Sequence, residues 1–259
     1  MSDSKMKNVD DLDFPELSVE GAVATITLRR PEKANRMGAE DLVAMLDHIE
    51  AVNAMEHVLV LRLQSTGKYF CSGYNINALG GERKVSFETM ADALEEARPV
   101  TIAVLQGGVY GGATDMAVAC DFRIGTTDIE MFMPAARLGL HYYRSGMERY
   151  ITRMGLNAAK HLFLTADRIY AHEMKHIGYL THLVEPGKLV EATEKLAGTL
   201  SARAPLALLG MKKHLNRIAR GALDEEALSR DIQAAANSKD MQEGRAAWTE
   251  KRTPRFKGH

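Results

Sequence analysis

The sequence has little cysteine, little proline, one tryptophan and almost no net charge. Cys71 and Cys120 are the two cysteines among 259 residues. That is too few for a disulfide scaffold and fits a reducing compartment. Seven prolines and 21 glycines exclude a collagen-like or low-complexity chain. Lys and Arg number 33 against 34 Asp and Glu, a formal net charge of −1. No basic excess draws the chain to nucleic acid or to an anionic membrane surface. The longest uncharged stretch, Pro99 to Thr114, contains Gln106 and four glycines and makes a poor membrane span. The opening, MSDSKMKNVDDLDF, is polar and acidic and lacks the apolar core of a secretory signal. Against these absences stand 46% hydrophobic and 26% charged residues, the proportions of a globular chain with a sizeable core. The expected location is cytoplasmic.

Residues 1–15 read as a frayed tail. Ala22–Arg29 alternates and is β-branched, which predicts a strand ended by Arg30-Pro31. Asn35–Ala54 carries Leu42, Met45, Leu46, Ile49 and Val52 at the spacing of one helix face. His57–Gln64 predicts a second strand, Glu82–Ala97 a helix, and the apolar run Val100–Leu105 a buried strand. A glycine-rich bend follows at Gly107–Gly112, then a buried helix over Ala113–Ala119 and a strand from Phe122 to Gly125. From Arg149 onward the pattern is mostly helical, and Ala202–Arg220 is amphipathic with Pro205 in its first turn. Alternating strands and helices predict an α/β fold. The simplest division is a core over residues 1–200 and a C-terminal helical region over 201–259.

A strand, then GGVYGG, then a helix beginning near Ala113 is the first functional signal. Glycine lets backbone approach a ligand closely, and a helix N-terminus directs free N–H groups and partial positive charge outward. Together they suit an anion or a developing oxyanion; packing alone would also account for them. The spacing is neither the dinucleotide GxGxxG nor a Walker A loop.

Three ordered segments narrow the reading: ITLRRPEKANRM at Ile26–Met37, GKYFCSGYNINAL at Gly67–Leu79, and LQGGVYGGATDMAVACDFRI at Leu105–Ile124. They resemble the crotonase superfamily, the enoyl-CoA hydratase/isomerase group. TADRIYAHEMKHIGYLTHLVEP, APLALLGMKKHL and the tail EKRTPRFKGH are similar to later parts of the same family, so the resemblance runs from about residue 20 onward. It implies a spiral of ββα units with C-terminal helices that form a homotrimer or a hexamer. It also implies an acyl-CoA thioester substrate, with CoA as part of that substrate and no separate cofactor or metal. By the same resemblance, the backbone N–H groups of Tyr74 and Gly112 hold the thioester oxygen. Such donors favour an enolate over the ground state, and one is worth on the order of 3 kcal/mol. Lys33, Arg36 and Ile76 match positions that flank the nucleotide, and Phe256 and Lys257 match a tail that touches CoA. Gly244–His259 carries five Lys or Arg against one Glu, which a solvated terminus would also explain.

The sequence departs from the family pattern where hydratases carry two glutamates. The first place holds Asp115, one methylene shorter, so its reach changes by about 1.5 Å. Asp115 is a candidate acid/base or water-positioning group; its alternative role is to favour the helix N-terminus. The second place, after Pro134, holds Ala135, which cannot transfer a proton, so a two-carboxylate mechanism is in doubt. The following segment offers His141, Tyr142, Tyr143, Arg144 and Glu148. Methylmalonyl-CoA decarboxylases of the superfamily have a tyrosine at the place of Tyr142 and a similar Phe-x-Gly-His ending. They carry a histidine where this chain has Tyr74. The first reading is an acyl-CoA hydratase or isomerase using Asp115; the alternatives are a decarboxylase using Tyr142 and a non-catalytic acyl-CoA binder.

Two other features invite chemistry. His172-Glu173-Met174-Lys175-His176 matches the zinc-peptidase HExxH spacing, but Gly178 breaks the helix soon after and spacing reveals no third ligand. Cys71 lies beside the expected hole with no histidine tied to it and reads as packing, as does Cys120.

Overall fold

The structure is a computed structural model that describes residues 13–75 and 85–259. Its chain order begins β1 (Glu16–Glu20), β2 (Val23–Leu28), α1 (Ala39–Ala54), β3 (Val60–Ser65), α2 (Phe87–Glu96) and β4 (Val100–Leu105). β5 (Val109–Tyr110), α3 (Gly112–Ala119), β6 (Phe122–Thr126) and β7 (Glu130–Phe132) follow. Then come α4 (Arg144–Lys160), β8 (Ile169–Tyr170), α5 (Ala171–His176) and β9 (His182–Val184). The remainder is helical: α6 (Leu189–Ser201), α7 (Pro205–Ala219), α8 (Glu225–Ala236) and α9 (Lys239–Glu250).

Six strands form one sheet in the order β1-β2-β3-β4-β6-β9, parallel throughout except for β1, which runs antiparallel to β2. Each parallel pair needs a crossover, and α1, α2 and α3 supply those between β2, β3, β4 and β6. Every residue of β4 is buried, as expected of a strand covered on both faces. A second sheet of three short strands has the order β5-β7-β8. α1 to α4 close one core, which holds Ile26, Leu61, Phe70, Met90, Met116 and Tyr150. On the other face, α6 packs on Val60, Val100, Ile102 and Ile124.

The expected elements recur with shifted ends. The first long helix begins at Ala39 rather than Asn35. Asn35 instead has φ +52, and its side-chain amide donates to Thr66 O at 2.8 Å and Tyr69 O at 2.9 Å. These bonds tie the turn to the loop after β3. α2 begins at Phe87 because Ser86 caps it, accepting from Thr89 N at 3.0 Å; residues 82–84 of the expected helix lie outside the described residues. The three-residue strands β7 and β9 and the two-residue β8 were not expected. α4 contains a break at Gly155 (φ 81, ψ 162). At the N-terminal end, Phe14 O accepts from Arg29 Nε at 3.1 Å, so residue 14 is tied down rather than frayed. Among the described residues no helix is long and apolar enough to cross a membrane.

Candidate active site

The two glycine-flanked bends meet. Residues 70–75 run between the turn after β2 and strand β5. Ser72 N donates to Ala34 O at 2.9 Å, Met37 N to Gly73 O at 2.9 Å and Asn75 N to Met37 O at 2.9 Å. On the other side, Tyr110 N donates to Cys71 O at 3.0 Å. Gly73 has φ +89, and a Cβ there would lie 2.6 Å from Tyr110 O and 3.1 Å from Gly112 N. Only glycine accepts both that dihedral and that approach. The peptide leading into Tyr74 is thereby brought against the peptide leading into Gly112.

Gly112 opens α3, with Gly111 at φ 56 as its N-cap. A first-turn N–H has no partner inside the helix and carries the positive end of its dipole. The ring of Phe87 covers this spot: a Cβ on Gly112 would stand 2.9 Å from Phe87 Cζ. Tyr74 packs edge-on to the same ring, with centroids 6.2 Å apart. Apolar cover of this kind excludes water and strengthens any hydrogen bond formed beneath it.

Asp115, one turn further along α3, is 0% exposed. Arg149 of α4 grips it with both arms of its fork: Nε to Oδ1 at 2.8 Å and Nη2 to Oδ2 at 2.8 Å. The Tyr143 hydroxyl donates to Oδ2 as well. Arg149 is itself 0% exposed and its Nη1 holds Asp92 Oδ1 at 2.6 Å and Glu95 Oε2 at 3.3 Å. Burial opposes the Arg149 charge, yet its bonds to Asp115 and Asp92 outweigh burial and hold the guanidinium above its ordinary range. Glu95 also binds Arg153 at 3.2 Å and Arg220, which caps the C-terminus of α7. Arg220 reaches Glu148 at 2.8 Å, and Glu148 binds Arg144 at 2.6 Å.

Tyr142 and Tyr143 are half-buried. Their rings stack at 4.4 Å, and the Tyr142 hydroxyl donates to that of Tyr143 at 3.3 Å. Burial first, then the negative charge of Asp115, pushes both phenols above their usual range, so both stay protonated donors. Ala135 is buried at 4% exposure and brings no polar side chain. His141 is exposed.

Lys33 and Arg36 are both exposed on the turn whose next residue, Met37, bonds to Gly73. They lie at the edge of the bends. Ile76 lies outside the described residues. Phe256 and Lys257 lie elsewhere in this chain, on a groove of about 1600 Å³ lined also by Arg98, Lys212 and Arg220 but not by Tyr74, Gly112 or Lys33. Their segment is clasped by Asp240, whose carboxylate accepts from Lys257 N at 2.7 Å and Gly258 N at 2.8 Å.

Burial pushes the Cys71 thiol up to about 12, and its Sγ donates to Asn35 O at 3.0 Å. It is a packed, neutral thiol. His172 and His176 are exposed on the six-residue α5, and among the described residues no three His, Cys, Asp or Glu gather to hold a metal.

Sequence reasoning missed Arg149, Asp92, Glu95 and Phe87. One signal was present: Gly146, Arg149 and Tyr150 share the buried face of α4, and an arginine on such a face calls for a buried anion.

Wound parallel strands, a helix opening on GG and a facing SGY bend together define a crotonase-type chain. The protein belongs to the enoyl-CoA hydratase/isomerase family, whose sequence model matches residues 18–259. It is 32% identical to YngF of Bacillus subtilis (strain 168), which carries an enoyl-CoA hydratase/isomerase name, across 91% of this chain and 95% of that one. It is 29% identical to the methylmalonyl-CoA decarboxylase of Escherichia coli (strain K12), across 92% and 95%. The solved enoyl-CoA hydratase of Bacillus anthracis superposes with a TM-score of 0.86 at 25% identity, covering 95% of this chain and 99% of that one. The crotonase fold expected from the sequence is the fold observed.

Proposed function

We propose that this chain is an acyl-CoA enzyme that holds the thioester oxygen between the backbone N–H groups of Tyr74 and Gly112. We propose further that it forms the enolate by releasing CO2 from a malonyl-type thioester. In that step the bond from Cα to the carboxylate breaks and its electron pair moves onto the carbonyl oxygen. The two amides receive the charge as it develops, which is where preorganised donors act most strongly. CO2 departs, and Cα then takes a proton from a neutral donor, for which the Tyr142 hydroxyl is the candidate. CoA enters as part of the substrate, and the step needs no separate cofactor.

One observation carries the choice of decarboxylation. Both places where a hydratase would keep a working carboxylate lack a free one: Ala135 has none, and Asp115 is committed to the Arg149 fork and the Tyr143 hydroxyl. Loss of CO2 needs the hole but no base. Incubation with methylmalonyl-CoA and malonyl-CoA tests it: labelled CO2 and the decarboxylated acyl-CoA should appear, and should appear about a hundredfold more slowly from the Gly73→Ala variant.

The second reading is a hydratase or isomerase. It draws on Asp115 lying on the first turn of α3, three residues past Gly112. Crotonyl-CoA hydration or 3-enoyl-CoA isomerisation, lost about a hundredfold in Asp115→Asn, would replace the first reading with this one. Tight acyl-CoA binding with no turnover of any of these thioesters would mark a silent binder. A homotrimer or hexamer is proposed as well, supported by apolar Leu215, Ile218 and Ile232 and the 88% exposed Trp248 on α7 to α9; light scattering reads the mass.

A further inference from the structure

We propose that Arg149 is a positioning residue that selects which chemistry the hole performs, by keeping the Asp115 carboxylate out of proton transfer. The inference rests on the reading of the Tyr74 and Gly112 amides as the enolate's holders.

The geometry of the grip is its basis. Nε and Nη2 of Arg149 each lie 2.8 Å from a different oxygen of Asp115. A carboxylate held by both oxygens in one guanidinium fork is fixed in direction as well as in charge. Tyr143 takes a third lone pair. To reach a substrate Cα–H, the fully buried Asp115 would have to break two charge-assisted bonds. Arg149 cannot release it by turning, because its remaining nitrogen is anchored to Asp92 at 2.6 Å and Glu95 at 3.3 Å. Glu95 is anchored in turn by Arg153 and Arg220. The cluster balances: guanidiniums of Arg144, Arg149, Arg153 and Arg220 face carboxylates of Asp92, Glu95, Asp115 and Glu148. No carboxylate in it is left over to serve as a base.

The consequence is an enzyme that can discharge an enolate made by CO2 loss but is slow to make one by deprotonation. It therefore takes α-protons from its own product only slowly. Releasing Asp115 should add that ability. In exchange, Asp115 takes the α-proton of an acyl-CoA, the hole carries the enolate, and a solvent deuteron returns to Cα. The exchange is degenerate and needs no oxidant or reductant.

The test is α-deuterium incorporation into propionyl-CoA in D2O, followed by mass spectrometry. Wild-type protein should exchange slowly. Arg149→Gln should exchange at least tenfold faster, with an acid limb in its pH–rate profile that wild-type protein lacks. Adding Asp115→Asn to that variant should remove the gain. Arg149→Lys keeps the charge but cannot span both oxygens, and should give an intermediate gain; it serves if Arg149→Gln does not fold. A merely structural arginine would lower activity and stability in these variants without creating Asp115-dependent exchange, and that result overturns the proposal. Rapid wild-type exchange abolished by Asp115→Asn overturns it too. Calorimetry with propionyl-CoA separates the two layers. Absence of binding removes the oxyanion-hole reading and this proposal with it, whereas binding without any exchange gain in the arginine variants removes this proposal alone.

Discussion

The Cβ position of Gly73 falls 3.1 Å from the backbone nitrogen of Gly112, although the two residues lie on different bends of the chain. One wall of the candidate site is therefore built of main chain, and its composition is restricted by space.

Gly73→Ala should be costly twice over. A non-glycine residue at φ +89 is strained by about 1–2 kcal/mol. The added methyl would also displace Tyr110 O, 2.6 Å away, and with it the neighbouring amides. Losing one oxyanion donor corresponds to about a hundredfold in kcat. Steady-state turnover and a thermal melt should fall together; unchanged kcat would detach this bend from the chemistry.

The Arg149–Asp115 pair should show strong coupling in stability. Removing one partner of a buried ion pair costs about 3–5 kcal/mol, because the other charge is left unpaired. Arg149→Met should fall in that range in urea unfolding. The double variant with Asp115→Asn should cost less than the two single losses added, by about 1–3 kcal/mol. Additive losses would mean that the two side chains do not depend on each other.

Neither cysteine should react in the folded protein. Burial raises both thiols to about 12, so at pH 8 the reactive thiolate is on the order of one part in 10⁴. Ellman's reagent should count no thiols in native buffer and two in denaturant. A fast native thiol would reopen covalent chemistry at Cys71.

Alkali should destabilise the fold from about pH 10 upward. Burial is the leading cause that raises Tyr142, Tyr143, Tyr150 and Tyr179 above their ordinary 10.0. Raised folded values mean that the unfolded chain loses these protons first. The contribution to stability is then complete below pH 10 and declines as pH climbs from there towards the folded values. Urea midpoints between pH 7 and 11 should be flat on this account until about 10 and then drop, with a smaller drop in Tyr143→Phe.

Much of the fold was legible because its signals are local. β2 announces itself by alternation, β4 by an unbroken apolar run and α7 by an apolar stripe behind Pro205. The short strands were not legible, since β9 exists only by pairing Ile124 with His182 and β5 by pairing Val109 with Met131. Asn35 belongs to the same class: its side-chain bonds to Thr66 and Tyr69 override the helical spacing that follows it. At the site, the two bends and Asp115 stood out by residue type and order. Their governing contact did not, because Arg149 is 34 residues from Asp115 in the chain and its own segment reads as an ordinary helix.

Lys212 of α7 is almost wholly covered, and its ammonium binds Ala97 O at 2.7 Å, Pro99 O at 2.5 Å and Asp121 at 2.9 Å. Those groups sit where the polypeptide enters β4 and β6. A fragment ending at Ser201 would strip a counter-ion from Asp121 and leave two carbonyls unmet, so the last helices work as a keystone whose removal loosens the sheet they lean upon.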